Sequence, residues 1–438
     1  MERLAMAQLL AWKHAQHRAP LLLRGARQVG KTWLLKEFGR RCYDRLVYVN
    51  LERSEAARRV FDGDPDPGRI VARLAALDGH GPIAPDGTLI VIDEIQEAAG
   101  ALTSLKYFAE EALQYDVAAA GSLLGVALQG RVSFPVGKVH TVGLGPLCFT
   151  EFATALGRAD LIELMESADP TLAAPFHEAL IDLLRAYYVV GGMPAAVMAY
   201  QAGHDFASAR AVQQELVDAY GNDFSKHAPV AEVPRLREIF RSVPSQLARE
   251  NRKFVFGRVR EGARARTHEA ALQWLEDGGI VQRVHRVTAP RLPLPAYRDD
   301  KAFKAFLVDI GMLGALAELP PAIAVAGNDA FTEFKGALTE QFVAQELAAH
   351  GWHPYYWSSD SGRAEIDFLV AADAGVVPVE VKAEANLRAR SLRLFREKYR
   401  PAVAARFSLA PYQFRDGLLA LPLYALSTLR SRLAAGSG

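Results

Sequence analysis

A chain of 438 residues is longer than one hydrophobic core usually serves, so its length predicts two to four domains. With 51 basic residues against 50 acidic ones and half the chain apolar, no overall field draws it to nucleic acid or a membrane, and such a partner must be met by a local patch. Two cysteines, Cys42 and Cys148, exclude a disulfide framework and cannot make a four-ligand zinc site on their own; they read as small buried hydrophobes in a reducing compartment.

The opening MERLAMAQLLAWKHAQHRAP lacks a long apolar segment with a cleavage site, and no later stretch approaches about 18 uncharged apolar residues. The expectation is a soluble, cytoplasmic protein with no membrane partner. His14 and His17 stand at helical spacing without acidic or cysteine companions, as on a solvated helix face.

Residues 1–160 alternate β-rich and helical runs: LLLR at 21–24, LVYVNLE at 46–52, TLIVIDE at 88–94 and DVAAAGS at 116–122. Alternation of this kind predicts a parallel α/β sheet. Between the first strand and the helical WLLKEFGRR lies GARQVGKT, that is Gly25, Ala26, Arg27, Gln28, Val29, Gly30, Lys31 and Thr32, which satisfies the phosphate-binding pattern GxxxxGK[ST] in the context it requires. Backbone N–H groups and a helix N-terminus would face the phosphates of ATP, with the Lys31 ammonium on the β/γ oxygens and the Thr32 hydroxyl on Mg2+.

The strand TLIVIDEIQ ends in Asp93 and Glu94. Asp93 would hold Mg2+ together with Thr32, and Glu94 would polarise the attacking water, which predicts Mg2+-dependent ATP hydrolysis. The strand at 116–122 ends in Gly121 and Ser122, where a hydroxyl could sense the γ-phosphate; a plain Gly-Ser turn explains it equally. Arg131, in LQGR, could bring positive charge to the transition state or serve only as a surface charge.

Residues 161–250 turn helical, with LIELMESA, FHEALIDLLRAYYVV and SARAVQQELVDAYGNDF, and read as a lid-like region. Residues 251–290 read as a basic helix, a turn, a second helix with Ala270, Leu272 and Leu275, and a hairpin in GGIVQRVHRV; the proline-rich TAPRLPLPAYRDD then reads as a connector. Such a unit resembles a winged helix. Its Arg258, Arg260, Arg264 and Arg266 could meet DNA phosphates or form a solvated basic face.

Residues 300–432 return to α/β, where RAEIDFLV and VVPVEVKAE place Asp367, Glu380 and Lys382 on two β-rich runs joined by a short turn. This resembles the PD-(D/E)XK nuclease core, in which an acid pair holds a divalent metal and a lysine activates or positions water. Oxygen-rich ligation implies a second Mg2+ or Mn2+ there. The helix FKGALTEQFVAQELAAH would add a carboxylate: the likeness points to Glu340, whereas periodicity puts Glu346 mid-arc among Leu338, Phe342, Val343 and Leu347. We take Glu340. An amphipathic half-exposed strand would also explain the Glu380 and Lys382 alternation.

Together GARQVGKT, YVNLE, IVIDEIQ, AAGSLL with LQGR, GLGPLCFTEF, YYVVGGMP and GALTEQFVAQEL with the C-terminal acids resemble the prokaryotic AAA-type ATP-binding proteins that carry a C-terminal domain of unknown function. The resemblance implies an AAA+-like P-loop NTPase core over 1–160, a helical lid over 161–250, a winged-helix-like module over 251–290 and a nuclease-like α/β domain over 300–432. GSLLGVAL departs from it, lacking further small hydroxyl residues after Gly121 and Ser122. The leading expectation is an ATPase whose nucleotide state controls a nuclease-like or DNA-handling domain. Two others stand beside it: a switch that binds ATP and a protein partner with an inert C-terminal domain, and a DNA-binding adaptor that hydrolyses ATP slowly. A homo-oligomer is expected by analogy alone.

Overall fold

The computed structural model describes residues 1–122, 137–249, 252–326, 332–359, 362, 364–384 and 390–435. By packing, the chain divides into two compact units, one of Met1–Gly145 with Asp277–Gly279 and one of Pro146–Glu276 with Ile280–Gly438. Among the described residues no helix is long and apolar enough to cross a membrane.

The first unit is built on β1 (Leu21–Gly25), β2 (Arg45–Asn50), β3 (Thr88–Asp93), β4 (Asp116–Ser122) and β5 (His140–Gly143), in the order β2-β3-β4-β1-β5 with every pairing parallel. Four of these are the strands the sequence predicts. Every residue of β3 and β4 is buried, which is why their sequences run apolar without the alternation of a half-exposed strand. Leu22, Val47, Val49, Ile90 and Ile92 share a core with Leu102, Leu105 and Phe108 of the helix Ala99–Glu111. The helix Lys31–Cys42 buries Leu34, Leu35 and Phe38 at helical spacing, each contributing roughly 2 kcal/mol of hydrophobic stabilisation. Parallel register pairs Asn50 with Asp93 and Gly25 with Ser122, so the C-terminal ends of adjacent strands converge. This is the P-loop NTPase α/β fold.

The second unit combines helices with an eight-stranded mixed sheet in the order β12-β13-β11-β10-β9-β8-β6-β7. Its strands are β6 (Val281–Val287), β7 (Arg298–Leu307), β8 (Tyr355–Ser358), β9 (Glu365–Ala372), β10 (Gly375–Val381), β11 (Ala404–Ser408), β12 (Gln413–Arg415) and β13 (Leu418–Pro422). One face carries a core of Val287, Trp357, Ile366 and Leu369 against Leu392 and Phe395 of the helix Arg390–Tyr399. The helix Thr332–Ala349 packs on β7 and β10, which suspends Glu340 over the strands that hold the other acids.

Two local expectations are corrected here. The predicted hairpin inside GGIVQRVHRV is a single strand, β6, and its antiparallel partner is β7, so the proline-rich stretch connects these two strands. The predicted basic helix is only a 3-10 turn at Phe256–Arg258; Gly262, at φ 78°, and the turn around it delay the next helix to Ala265–Asp277. In that helix Leu272 and Leu275 are buried as expected, whereas Ala270 faces solvent.

Asp309 shows how tightly the second unit is closed. It has no exposed surface, caps the helix Ile310–Leu316 by accepting from Met312 N at 2.9 Å, and accepts from Gly192 N at 2.6 Å. Burial pushes its carboxyl up to about 6, against the pull of those N–H groups; Arg210 and Tyr187 are the charged and titratable neighbours. Because the folded value lies above the unfolded one, the stability it contributes is full below about pH 4 and lost as pH rises through 6. Denaturant unfolding of the wild type is therefore expected to lose about 3 kcal/mol between pH 4 and 7 relative to the pH profile of Asp309→Asn. Parallel profiles for the two proteins would contradict this.

Candidate functional site

The nucleotide site begins where β1 ends. A Cβ at Gly25 would lie 2.1 Å from the backbone oxygen of Leu144, so the chain passes here only without a side chain. Gly30, at φ 96°, then turns the loop into the helix Lys31–Cys42, as residues other than glycine rarely can. Lys31, the first residue of that helix, donates from Nζ to Gly25 O at 3.0 Å and Ala26 O at 2.8 Å. Burial lowers its ammonium to about 8, opposed by the charges of Glu94 and Asp93. A buried cation held only by carbonyl oxygens above a helix N-terminus is a receptor for an anion.

Asp93 is 1% exposed and is met by hydroxyls: Thr32 Oγ1 donates to its Oδ2 at 2.7 Å and the Tyr48 hydroxyl at 2.8 Å. Neither donor offsets the carboxylate charge. A hard dication suits this pair of oxygen donors, and Thr32 and Asp93 together fit Mg2+. Glu94 leaves the strand at φ 52°, and Gln96 Nε2 donates to its Oε2 at 2.5 Å. Ser122 is buried at the end of β4, beside Gly25 in the sheet register. Arg131 lies outside the described residues.

Tyr48 and Gln96 were not singled out by the sequence reading. Tyr48 could have been found from strand alternation, since it stands two residues before Asn50, the register partner of Asp93. Gln96 carries no such signal, because its contact with Glu94 depends on the backbone turn that follows β3.

The second group of predicted residues also converges. Asp367 of β9 accepts from Val381 N at 2.7 Å, and Lys382 Nζ stands 2.6 Å from Glu380 Oε1. Glu340 is 3% exposed and enters the same cluster, whereas Glu346, six residues on, accepts from Phe149 N at 2.8 Å. Burial, and then the charges of Glu340 and Glu380, push Asp367 well above the usual carboxylate range. Glu380 is also pushed up, first by burial, which Lys382 opposes. Glu340 ends below its usual value because Lys304 and Arg252 outweigh its burial.

Sequence reasoning missed Lys304, Glu365 and Arg252, which join this cluster. The Lys304 side chain on β7 has no exposed surface, and Nζ lies 2.7 Å from Glu365 Oε1 and 3.2 Å from Glu340 Oε2; Arg252 pairs with Glu340 as well. A lysine inside the buried half of a strand, KAFKAFL, was the available signal. Its amine thus meets Glu340, one of the acids that would hold a second metal, together with Glu365. Lys304→Met would leave Glu365 without its lysine and Glu340 with Arg252 alone, and a loss of about 3–5 kcal/mol is expected in chemical unfolding. An unchanged midpoint would contradict the pairing.

Of the predicted DNA-contacting arginines, Arg258, Arg264 and Arg266 are exposed and Arg260 pairs with Glu238 at 3.3 Å. They surround the start of the helix Ala265–Asp277, and the fold gives no further evidence for a winged helix.

Comparison with known proteins adds three family models: residues 17–153 match an AAA domain, residues 181–322 a domain of unknown function (DUF8612) and residues 335–426 another (DUF4143). Among curated proteins no relative matches. Among solved structures, the Walker-type ATPase of Pyrococcus abyssi is 13% identical, with 72% of this chain and 95% of that one covered at a TM-score of 0.46. The Orc1 protein of Aeropyrum pernix, solved in complex with DNA, is 17% identical, with 74% and 94% covered at 0.30. Cdc6p of Pyrobaculum aerophilum is 13% identical, with 74% and 92% covered at 0.26. The parallel sheet and the phosphate loop lie within residues 17–153, the segment that matches the AAA domain.

Proposed function

We propose that this protein hydrolyses ATP with Mg2+ and that its nucleotide state controls a C-terminal nuclease-like or DNA-handling domain. The observation that carries the first part is that Thr32, beside Lys31 at the start of the helix after β1, donates to Asp93 at the end of β3, next to Glu94. Residues 25–32 wrap the phosphates, and the Lys31 ammonium moves from its carbonyl partners to the β/γ oxygens. Thr32 and Asp93 hold Mg2+, which offsets phosphate charge when bound. Glu94 orients the attacking water and takes its proton. Ser122 senses the γ-phosphate, and Arg131 supplies charge to the transition state.

Glu340, Asp367, Glu380 and Lys382 support the nuclease-like reading of the second part by their convergence. A second reading, a switch whose C-terminal domain is inert and addresses a protein partner, is favoured by the Lys304 amine on Glu340 and Glu365. Plasmid DNA incubated with the protein, ATP and either Mg2+ or Mn2+ separates them. Cleavage lost in Glu380→Ala and Lys382→Ala supports the first; no cleavage with any divalent ion supports the second. DNA is contacted through Arg258, Arg260, Arg264 and Arg266, and changing all four to alanine should remove salt-sensitive binding. Unchanged binding would refute that contact. The protein works in the cytoplasm, as a homo-oligomer.

A further inference from the structure

A third cluster lies within the second unit. Cys148 Sγ, a Glu346 carboxylate oxygen and a His350 ring nitrogen all stand within 4.8 Å of one another. Cys148 immediately precedes the helix Phe149–Ala155, while Glu346 lies in the last turn of the helix Thr332–Ala349 and His350 immediately follows its end. Cys148 and Glu346 are each 1% exposed. Both are fixed by the backbone: Phe149 N donates to Glu346 at 2.8 Å and Cys148 N donates to Glu151 at 3.0 Å.

The group is not closed as it stands. Among the described residues His350 Nε2 is buried with no hydrogen-bond partner, its approach to Glu346 Oε2 being 3.5 Å. Three carboxylates, Glu346, Glu166 and Glu151, face this one imidazole. A thiol, an imidazole and a carboxylate converging in a buried place match the ligands that zinc takes, and the sulfur and nitrogen select it over Mg2+ or Ca2+, which prefer oxygen alone.

We propose that Cys148, Glu346 and His350 bind one zinc ion that ties the segment at 148–155 to the helix Thr332–Ala349. Binding forms a sulfur–zinc bond as the Cys148 thiol releases its proton, and the resulting thiolate with the Glu346 carboxylate balances the charge of the dication. Water or Glu151 completes four-coordination.

The test uses the full chain, without nucleotide, stripped with a chelator and titrated with Co2+ as a spectroscopic stand-in for Zn2+. Expected is a sulfur-to-cobalt charge-transfer band that saturates at one ion per chain, is displaced by Zn2+, persists in Cys42→Ser and is lost in Cys148→Ser. His350→Ala should weaken binding by at least tenfold. No band in the wild type, or a band that follows Cys42 instead, would overturn the proposal even if Cys148→Ser fails to fold.

Discussion

Lys31→Ala is expected to lose ATP binding by roughly 150-fold while the protein stays folded. The native ammonium spends its charge on two carbonyl oxygens, Gly25 O and Ala26 O, and among the described residues pairs with no carboxylate, so it can be transferred to phosphate. Hydrogen bonds from a charged donor contribute about 1.5–3 kcal/mol each, and two of them to the β/γ oxygens account for about 3 kcal/mol or more. Titration of a fluorescent ATP analogue measures the effect directly. Wild-type affinity in the variant would mean that the loop at 25–32 does not hold phosphate.

Glu94→Gln is expected to keep that affinity and lower turnover by about 10²–10³-fold, the usual contribution of a positioned general base. Gln96 makes the result more specific. Its amide holds Glu94 Oε2 at 2.5 Å, so the carboxylate has a defined direction at the end of β3. An amide at position 94 preserves the size of the side chain but cannot accept a proton from water. Single-turnover phosphate release separates the chemical step from binding; full turnover in the variant would remove Glu94 from the reaction.

Much of the first unit is legible in sequence because its signals are local. A strand such as TLIVID buried on both faces can be read as an apolar run, and GARQVGKT needs only one strand and one helix around it. Thr32, on the helix after β1, then meets Asp93 at the end of β3 because both strands run parallel to β4 between them. The second unit is less legible because its contacts are distant in sequence. Lys304 meets Glu340 and Glu365 only after β7 has joined the sheet edge next to β6, and no periodicity announces that pairing. Periodicity put Glu346 at the centre of the helix face, yet Glu340 reaches the acid cluster, because the helix lies across β7 and β10 and different turns face different partners. Composition says only that two cysteines cannot make a four-ligand zinc site on their own; that a histidine and a carboxylate approach Cys148 from about 200 residues away is a tertiary contact with no local signal. The hairpin was misplaced for a related reason, since β6 finds its partner beyond a proline-rich turn that looks like a linker when read alone.

The most direct test of the nucleotide site is phosphate release from ATP by the purified chain, measured with Mg2+, with a chelator in its place, and in Lys31→Ala. Steady turnover that requires Mg2+ and disappears in Lys31→Ala is the predicted result. Phosphate release that is equal in the wild type and Lys31→Ala, or unaffected by removal of the metal, would contradict the assignment of ATP hydrolysis to Lys31, Thr32 and Asp93.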